Sequence, residues 1–154
     1  MLQSRREMLK SIGVAASVLA ASAVGMRAAA AHSGPSRSIG IHPGMKFGSC
    51  SVVSVGHVQL GAIPITLVDR ENKRFRVDLL RYDPRSPGVA RAGSLSVFLS
   101  NNGDGSKATK EEHGVAAMAV ASHLARREAA GTSPPRLLTL AERAKLRQKR
   151  HIRT

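Results

Sequence analysis

Residues 63–82, Ile-Pro-Ile-Thr-Leu-Val-Asp-Arg-Glu-Asn-Lys-Arg-Phe-Arg-Val-Asp-Leu-Leu-Arg-Tyr, decide the fold of this chain. An apolar run at 65–68 leads into the polar residues 69–73, which are typical of a turn. Apolar and polar residues then alternate over 74–79, so that one face of an extended chain is apolar and the other charged. The pattern predicts two antiparallel strands joined by a turn, with one buried face and one wet face.

Further strands are predicted on both sides of this hairpin. Residues 49–55 alternate, and the apolar stretch that precedes the turn begins near residue 58. Gly56 and Gly61 interrupt this region and mark bends or bulges. Residues 95–99 form another short apolar strand. We therefore expect a small antiparallel sheet of three to five strands.

A long helix is predicted after the turn-forming residues 101–105. Thr109 and Glu112 have the spacing of a capping box, and the helix runs to about Glu128, ahead of Gly131. Its broad apolar stripe is expected to cover the sheet, which makes the fold class α+β. The stripe comprises Val115, Ala117, Met118, Ala119, Val120, Ala121, Ser122 and Leu124.

A basic helical tail is predicted at the C-terminal end. The linker Thr-Ser-Pro-Pro at 132–135 precedes Thr139 and Glu142, which have the spacing of a second capping box. A short helix then runs to about Arg150. Its cations are the candidate partner-binding residues: Arg143, Lys145, Arg147, Lys149 and Arg150.

The N-terminal segment has the three parts of a secretory signal. Ser-Arg-Arg-Glu-Met-Leu-Lys at 4–10 is followed by an apolar, Ala-rich run at 12–24 and by small residues at 28–31. The run resembles the twin-arginine export signal, with Met8 at the position of the usual Phe. The residues that carry the resemblance are Arg5, Arg6, Leu9 and Lys10.

The resemblance implies export of a folded protein by the twin-arginine translocase of a prokaryotic cell. Cleavage is expected after Ala31, or one or two residues earlier, with Ala29 completing the small-residue site. The mature protein would then be periplasmic or extracellular, and it would stay tethered to the membrane if the signal were not cleaved. The predicted organisation is a signal at 1–31, an irregular arm at 32–48, an α+β domain at 49–131, and a linker with basic tail at 132–154.

The distribution of charge narrows the choice of partner. The 154-residue chain has 24 Lys and Arg against 10 Asp and Glu, a net charge of +14. Residues 1–31 contribute +3 and residues 136–154 contribute +6, which leaves +5 for the rest. Because an exported protein rarely meets nucleic acid, we expect no nucleic-acid partner. The expected partner is an acidic exported protein or an anionic membrane surface.

Composition excludes several classes of site. A single cysteine, Cys50, rules out an intramolecular disulfide and a CxxC motif. Three Phe, one Tyr and no Trp do not furnish an aromatic sugar groove. The sequence has neither a phosphate-binding Gly-rich motif nor a G-x-S-x-G nucleophile elbow. We therefore expect a non-catalytic binding or accessory protein, in particular a partner of a larger redox enzyme exported by the same route.

A small metalloprotein is the alternative function, with two candidate sites. Residues 100–111 match a calcium-binding loop except that a serine replaces the first aspartate, and the oxygen ligands would be Ser100, Asn102, Asp104 and Glu111. A turn followed by a helix N-terminus explains the same residues. Cleavage after Ala31 would also create an N-terminal His32, whose amine and imidazole could bind copper together with His42 or His57.

Overall fold

Six strands form one antiparallel sheet in the computed structural model, which describes residue 34 and residues 38–100 and 106–152. The strands are β1 (Lys46–Phe47), β2 (Cys50–Val55), β3 (Ile63–Val68), β4 (Arg74–Arg81), β5 (Ala90–Ala92) and β6 (Leu95–Ser100). Within the described residues they are followed by helix α1 (Lys107–Ala129) and helix α2 (Leu140–His151). The predicted α+β class is confirmed.

The sheet is larger than the sequence suggests. Its strands lie in the order β1-β2-β3-β4-β6-β5, and every neighbouring pair is antiparallel. The prediction of three to five strands is wrong, because the described residues contain six. The edge strands β1 and β5 span only two and three residues, too short for an alternating pattern to reveal them. Such short edges also leave few backbone groups unpaired.

The sheet curls around helix α1. This helix contacts β1 and β2 at one end of the sheet and β5 and β6 at the other. The register shift between Val52 and Ser54 in β2 is a bulge, which bends the strand and increases its twist. The core fills the concave face that results. Its most deeply buried large side chains are Ile39, Ile41, Ile63, Ile65, Leu67, Val77, Leu79, Val97 and Val120.

Helix α1 begins earlier than predicted and uses a narrower apolar face. Ser106, and not Thr109, is the N-cap, because the Ser106 hydroxyl accepts a hydrogen bond from Thr109 N at 3.2 Å. The predicted capping box of Thr109 and Glu112 is therefore wrong. Val115 and Met118 are 58% and 59% exposed, so the stripe that covers the sheet excludes them. The buried apolar residues of α1 are Ala116, Ala117, Val120, Ala121 and Leu124.

The chain between the two helices is built into the sheet. Leu138 N donates to Gly61 O at 2.9 Å, and Leu138 O accepts from Arg81 N at 2.8 Å. The Leu138 peptide thus lies between the start of β3 and the end of β4, where those strands would otherwise pair with each other. Gly61 has φ +71°, and a Cβ there would overlap the Leu138 side chain, so glycine is needed at this position. Leu137 is buried in the core.

Candidate functional site

Asp69 and His113 form a buried pair where the turn between β3 and β4 meets α1. Asp69 Oδ2 lies 2.9 Å from His113 Nε2, and the two side chains are 1% and 13% exposed. Asp69 Oδ1 accepts hydrogen bonds from the backbone N–H groups of Glu71 and Lys73, each at 2.9 Å. Phe75 stacks on the His113 ring, with the centroids 3.8 Å apart. Both side chains of the pair are therefore held in place by further contacts, Asp69 by backbone N–H groups and His113 by Phe75.

The Asp69 carboxyl is held as a carboxylate. Burial alone would raise its pKa, but the hydrogen bonds from His113 and from the backbone of Lys73 and Glu71 outweigh burial and lower the pKa. Protonation would weaken all three of these bonds. Asp69 thus links the β3–β4 turn to α1 more strongly when it is charged than when it is protonated.

Ser49 and Cys50 lie close to this pair without forming a nucleophilic site with it. The Ser49 hydroxyl donates to Glu112 Oε1, and in the part of the chain that the structure describes neither Ser49 nor Cys50 is hydrogen-bonded to His113. Cys50 has no exposed surface, and burial raises the pKa of its thiol. A catalytic cysteine needs access and a lowered pKa, and a catalytic serine needs a hydrogen bond to its base. The cluster is suited to fastening α1 to the sheet.

Polar contacts also hold the rest of α1. His123 Nε2 donates to Gly40 O at 3.0 Å, and its ring meets that of Phe47 edge-on. Burial lowers the pKa of His123, so its neutral form is favoured. Near the end of α1, Glu128 Oε2 accepts from Ser94 N and Ser94 Oγ at 3.0 and 3.1 Å. His123 and Glu128 thus have structural partners, whereas the buried Nε of Arg127 has no hydrogen-bond partner among the described residues.

Helix α2 carries the largest group of unpaired charges. None of its residues is buried. Among the described residues, no carboxylate lies within 4 Å of any of its lysines or arginines. These cations are the residues predicted from the sequence to bind a partner: Arg143, Lys145, Arg147, Lys149 and Arg150. Their charge is available to a ligand.

The N-terminal end of α2 is fixed to the outer side of the sheet. Thr139 Oγ1 accepts from Glu142 N at 3.2 Å, and Glu142 Oε2 accepts from Thr139 N at 2.9 Å, which confirms the predicted capping box. The other oxygen of Glu142 lies 2.5 Å from Arg81 Nη2. Together with the Leu138 peptide, these contacts give α2 a defined position on the domain.

Strand β4 adds exposed arginines to the cations of α2. The charged face of this strand was predicted from its alternation, but its position beside α2 was not. Arg74 and Arg76 alternate on the outer face of β4, Arg81 ends the strand, and all three residues are exposed. Arg76 Nη2 lies 3.1 Å from Asp78 Oδ2, and the Asp78 side chain is 9% exposed. The alternation over 74–81 is the signal for this face, but only the structure places α2 beside it. We use the name basic surface for these three arginines and the five cations of α2.

Two of the three predicted copper ligands lie in the described part of the chain. His42 and His57 are both exposed, and His32 lies outside the described residues. Over 38–100 and 106–152, no group of three His, Cys, Asp or Glu side chains is placed to hold a metal ion. The copper site that would include His32 stays a prediction.

The predicted calcium loop is described only at its two ends. Ser100 ends β6 opposite Arg76, and Glu111 is exposed on the second turn of α1. Asn102 and Asp104 lie outside the described residues. The calcium site also stays a prediction.

The predicted export signal cannot be placed on this fold. Arg5, Arg6, Leu9, Lys10, Ala29 and Ala31 all lie outside the described residues. Neither α1 nor α2 has the length and apolar character that a helix needs to cross a bilayer.

Comparison with known protein families, with curated proteins and with solved structures gives no match for this chain.

Proposed function

We propose that this chain is an exported, non-catalytic binding protein whose basic surface binds an acidic partner. The observation that carries the proposal is helix α2, a helix without buried residues whose cations have no carboxylate partner in the described residues. Such a helix contributes little to a core. Its position is nevertheless defined by the Thr139 cap and the Arg81–Glu142 pair. A fixed array of unpaired charges is suited to recognition of a surface of opposite sign.

The proposed place of action is the periplasm or the extracellular space. Residues 4–31 resemble a twin-arginine signal, and proteins exported by that route include redox enzymes and the subunits that travel with them. We propose that the acidic partner is a larger redox enzyme exported in the same way. The inner side of α1 supports a non-catalytic role, because His113, His123 and Glu128 each bind a neighbouring structural element.

Co-purification from the exported fraction tests this function. The tagged full-length chain is expected to retain an acidic exported protein at low salt and to release it as salt rises, because exposed charges are screened. A variant with glutamine at 145, 147, 149 and 150 removes four charges while keeping good helix formers, and it should lose the partner. If the same protein stays bound to this variant, α2 does not bind it.

The design of that variant follows from the structure. Deletion of the whole tail from residue 136 would remove Leu137, which is 4% exposed in the core, and the Leu138 peptide, which is hydrogen-bonded to β3 and β4. Loss of binding could then reflect loss of the fold. Glutamine substitutions beyond Arg143 leave those contacts intact. N-terminal sequencing of the exported protein would establish separately whether the signal is cleaved.

A further inference from the structure

Arg143 of α2 lies within electrostatic range of Arg76 and Asp78 on β4. Arg143 and Arg147 are four residues apart and therefore share one face of α2. The charges of Arg147 and Arg76 act on Arg143, as does the charge of Asp78. We call Arg76, Arg143 and Arg147 the arginine cluster.

The arginine cluster has more positive than negative charge. Asp78 is the carboxylate within reach, and its Oδ2 is taken by Arg76 at 3.1 Å. Glu142 faces the same region but is used by Arg81 and by the backbone of Thr139. In the described part of the chain, neither Arg143 nor Arg147 has a carboxylate within 4 Å. Among the described residues, the cluster therefore has three guanidinium groups and one nearby carboxylate, which is paired with Arg76.

Hydrogen bonding at this place is also incomplete. The side-chain atoms Arg143 Nε, Asp78 Oδ1 and Ser96 Oγ are buried and without a hydrogen-bond partner among the described residues. Ser96 pairs with Leu80 and Asp78 with Phe98, so Ser96 and Asp78 are diagonal neighbours on the outer face of the sheet. Burial lowers the pKa of Arg143, and the charges of Arg147 and Arg76 act in the same direction. A buried guanidinium N–H without an acceptor is costly, and an oxyanion that binds the exposed part of the Arg143 side chain would offset the positive charge of the same group.

We propose that the arginine cluster is a carboxylate-binding subsite that anchors an acidic segment of the partner protein. This inference rests on the proposed function and names the residues that give it specificity. Guanidinium groups bind carboxylates through paired, charge-assisted hydrogen bonds, which a point charge such as lysine cannot reproduce. The remaining cations of α2 contribute general attraction.

The geometry favours a protein carboxylate over a membrane surface. The large apolar residues exposed on and just beyond α2 are Leu140, Leu146 and Ile152. Leu146 and Ile152 line one surface pocket together with Lys149 and Arg150, whereas Leu140 lies at the other end of the helix, so α2 offers lipid only a small apolar face.

Titration of the full-length chain with a synthetic polyglutamate peptide at low salt tests the subsite. The double variant Arg143→Gln/Arg147→Gln should weaken binding by roughly tenfold or more, because charge-assisted hydrogen bonds are lost. The matched control Lys145→Gln/Lys149→Gln removes the same charge from the opposite side of the helix, about 160° away. It should weaken binding by roughly two- to fivefold, as expected for exposed, screened charges.

Two more variants separate binding from folding. Arg147→Gln alone leaves the half-buried Arg143 in place, and it should still weaken binding more than either lysine substitution. Asp78→Asn removes the carboxylate that competes for Arg76, and it should tighten binding of polyglutamate, which damage to the fold would not do. The thermal unfolding midpoint of each variant would be measured in parallel.

The outcomes distinguish failure of the subsite from failure of the proposed function. Equal losses from the arginine and lysine pairs would overturn the subsite and leave electrostatic capture by α2 intact. Absence of any polyglutamate binding by the unsubstituted chain would overturn both. Binding to phosphatidylglycerol vesicles that is as sensitive to the arginine pair as polyglutamate binding would overturn the choice of a protein partner.

Discussion

The two helices of this protein are attached to the same sheet by different forces. Helix α1 buries an apolar face in the core, and hydrogen bonds to Asp69 and Gly40 and from Ser94 hold it along its length. Helix α2 buries none of its residues and is fixed at its start. The comparison indicates that α1 supports the fold, whereas α2 is free to serve recognition. Four substitutions or conditions would break or sharpen this contrast.

The largest expected effect on stability comes from truncating Leu124 of α1, with the truncation of Leu146 in α2 as the comparison. Leu124 of α1 is 5% exposed and Leu146 of α2 is 37% exposed. We expect Leu124→Ala to lower the free energy of unfolding by about 2–5 kcal/mol, because it leaves a cavity in the core. Leu146→Ala should change it by less than about 0.5 kcal/mol. Urea unfolding measures both values. Similar values for the two variants would remove the distinction between the helices.

The next effect concerns the polar attachment of α1. Asp69→Asn keeps the size of the side chain but replaces the charged acceptor of three hydrogen bonds. We expect a loss of about 1–3 kcal/mol, measured by urea unfolding. Glu71→Gln in the same turn is the matched control, because the Glu71 side chain is exposed and forms a surface ion pair with Lys73. Equal stability of Asp69→Asn and Glu71→Gln would show that the Asp69–His113 contact does not fasten the helix.

Acid should weaken the attachment of α1. The pKa of Asp69 is lowered in the folded chain, so its contribution is complete above about pH 3.9 and is lost as pH falls through the lowered value. The pKa of His123 is also lowered, so the unfolded chain takes up a proton first and stability falls as pH drops below about 6.5. Unfolding measured across this range should show less dependence on pH near 6 in His123→Gln. An unchanged pH dependence would contradict this assignment.

The smallest effect is expected at the start of α2. Thr139→Ala removes the N-cap hydroxyl and should cost about 1 kcal/mol in helix stability. The loss should be local, because α2 adds no buried residue to the core. Hydrogen exchange should accelerate at the amides of α2 while those of β3 and β4 remain protected. Equal acceleration in the sheet would mean that α2 and the core unfold together.

Local patterns made part of this structure predictable. The alternation over 74–81 predicted β4, and the Thr139–Glu142 spacing predicted the cap of α2, since both depend on residues close in sequence. The start of α1 was misassigned because Ser106 and Thr109 each offer a capping hydroxyl. The edge strands were missed because two or three residues show no period.

The contacts that define the candidate sites could not be predicted. Asp69 and His113 are 44 residues apart, and Ser49 and Glu112 are 63 apart. Arg76 and Arg143 come together only because the Leu138 peptide brings α2 onto β4. The cations of α2 were identifiable from their density along the chain and the charged face of β4 from its alternation, but the position of one beside the other was not.

The Leu138 peptide also has a kinetic consequence. Its hydrogen bonds close against Gly61 and Arg81, which are distant in sequence, so the entropy of a long loop must be lost before they form. Contacts of this kind form late in folding, and interactions that form late govern how fast a native chain opens. A ligand that holds α2 in place would therefore act on the lifetime of the folded state more than on the speed of folding.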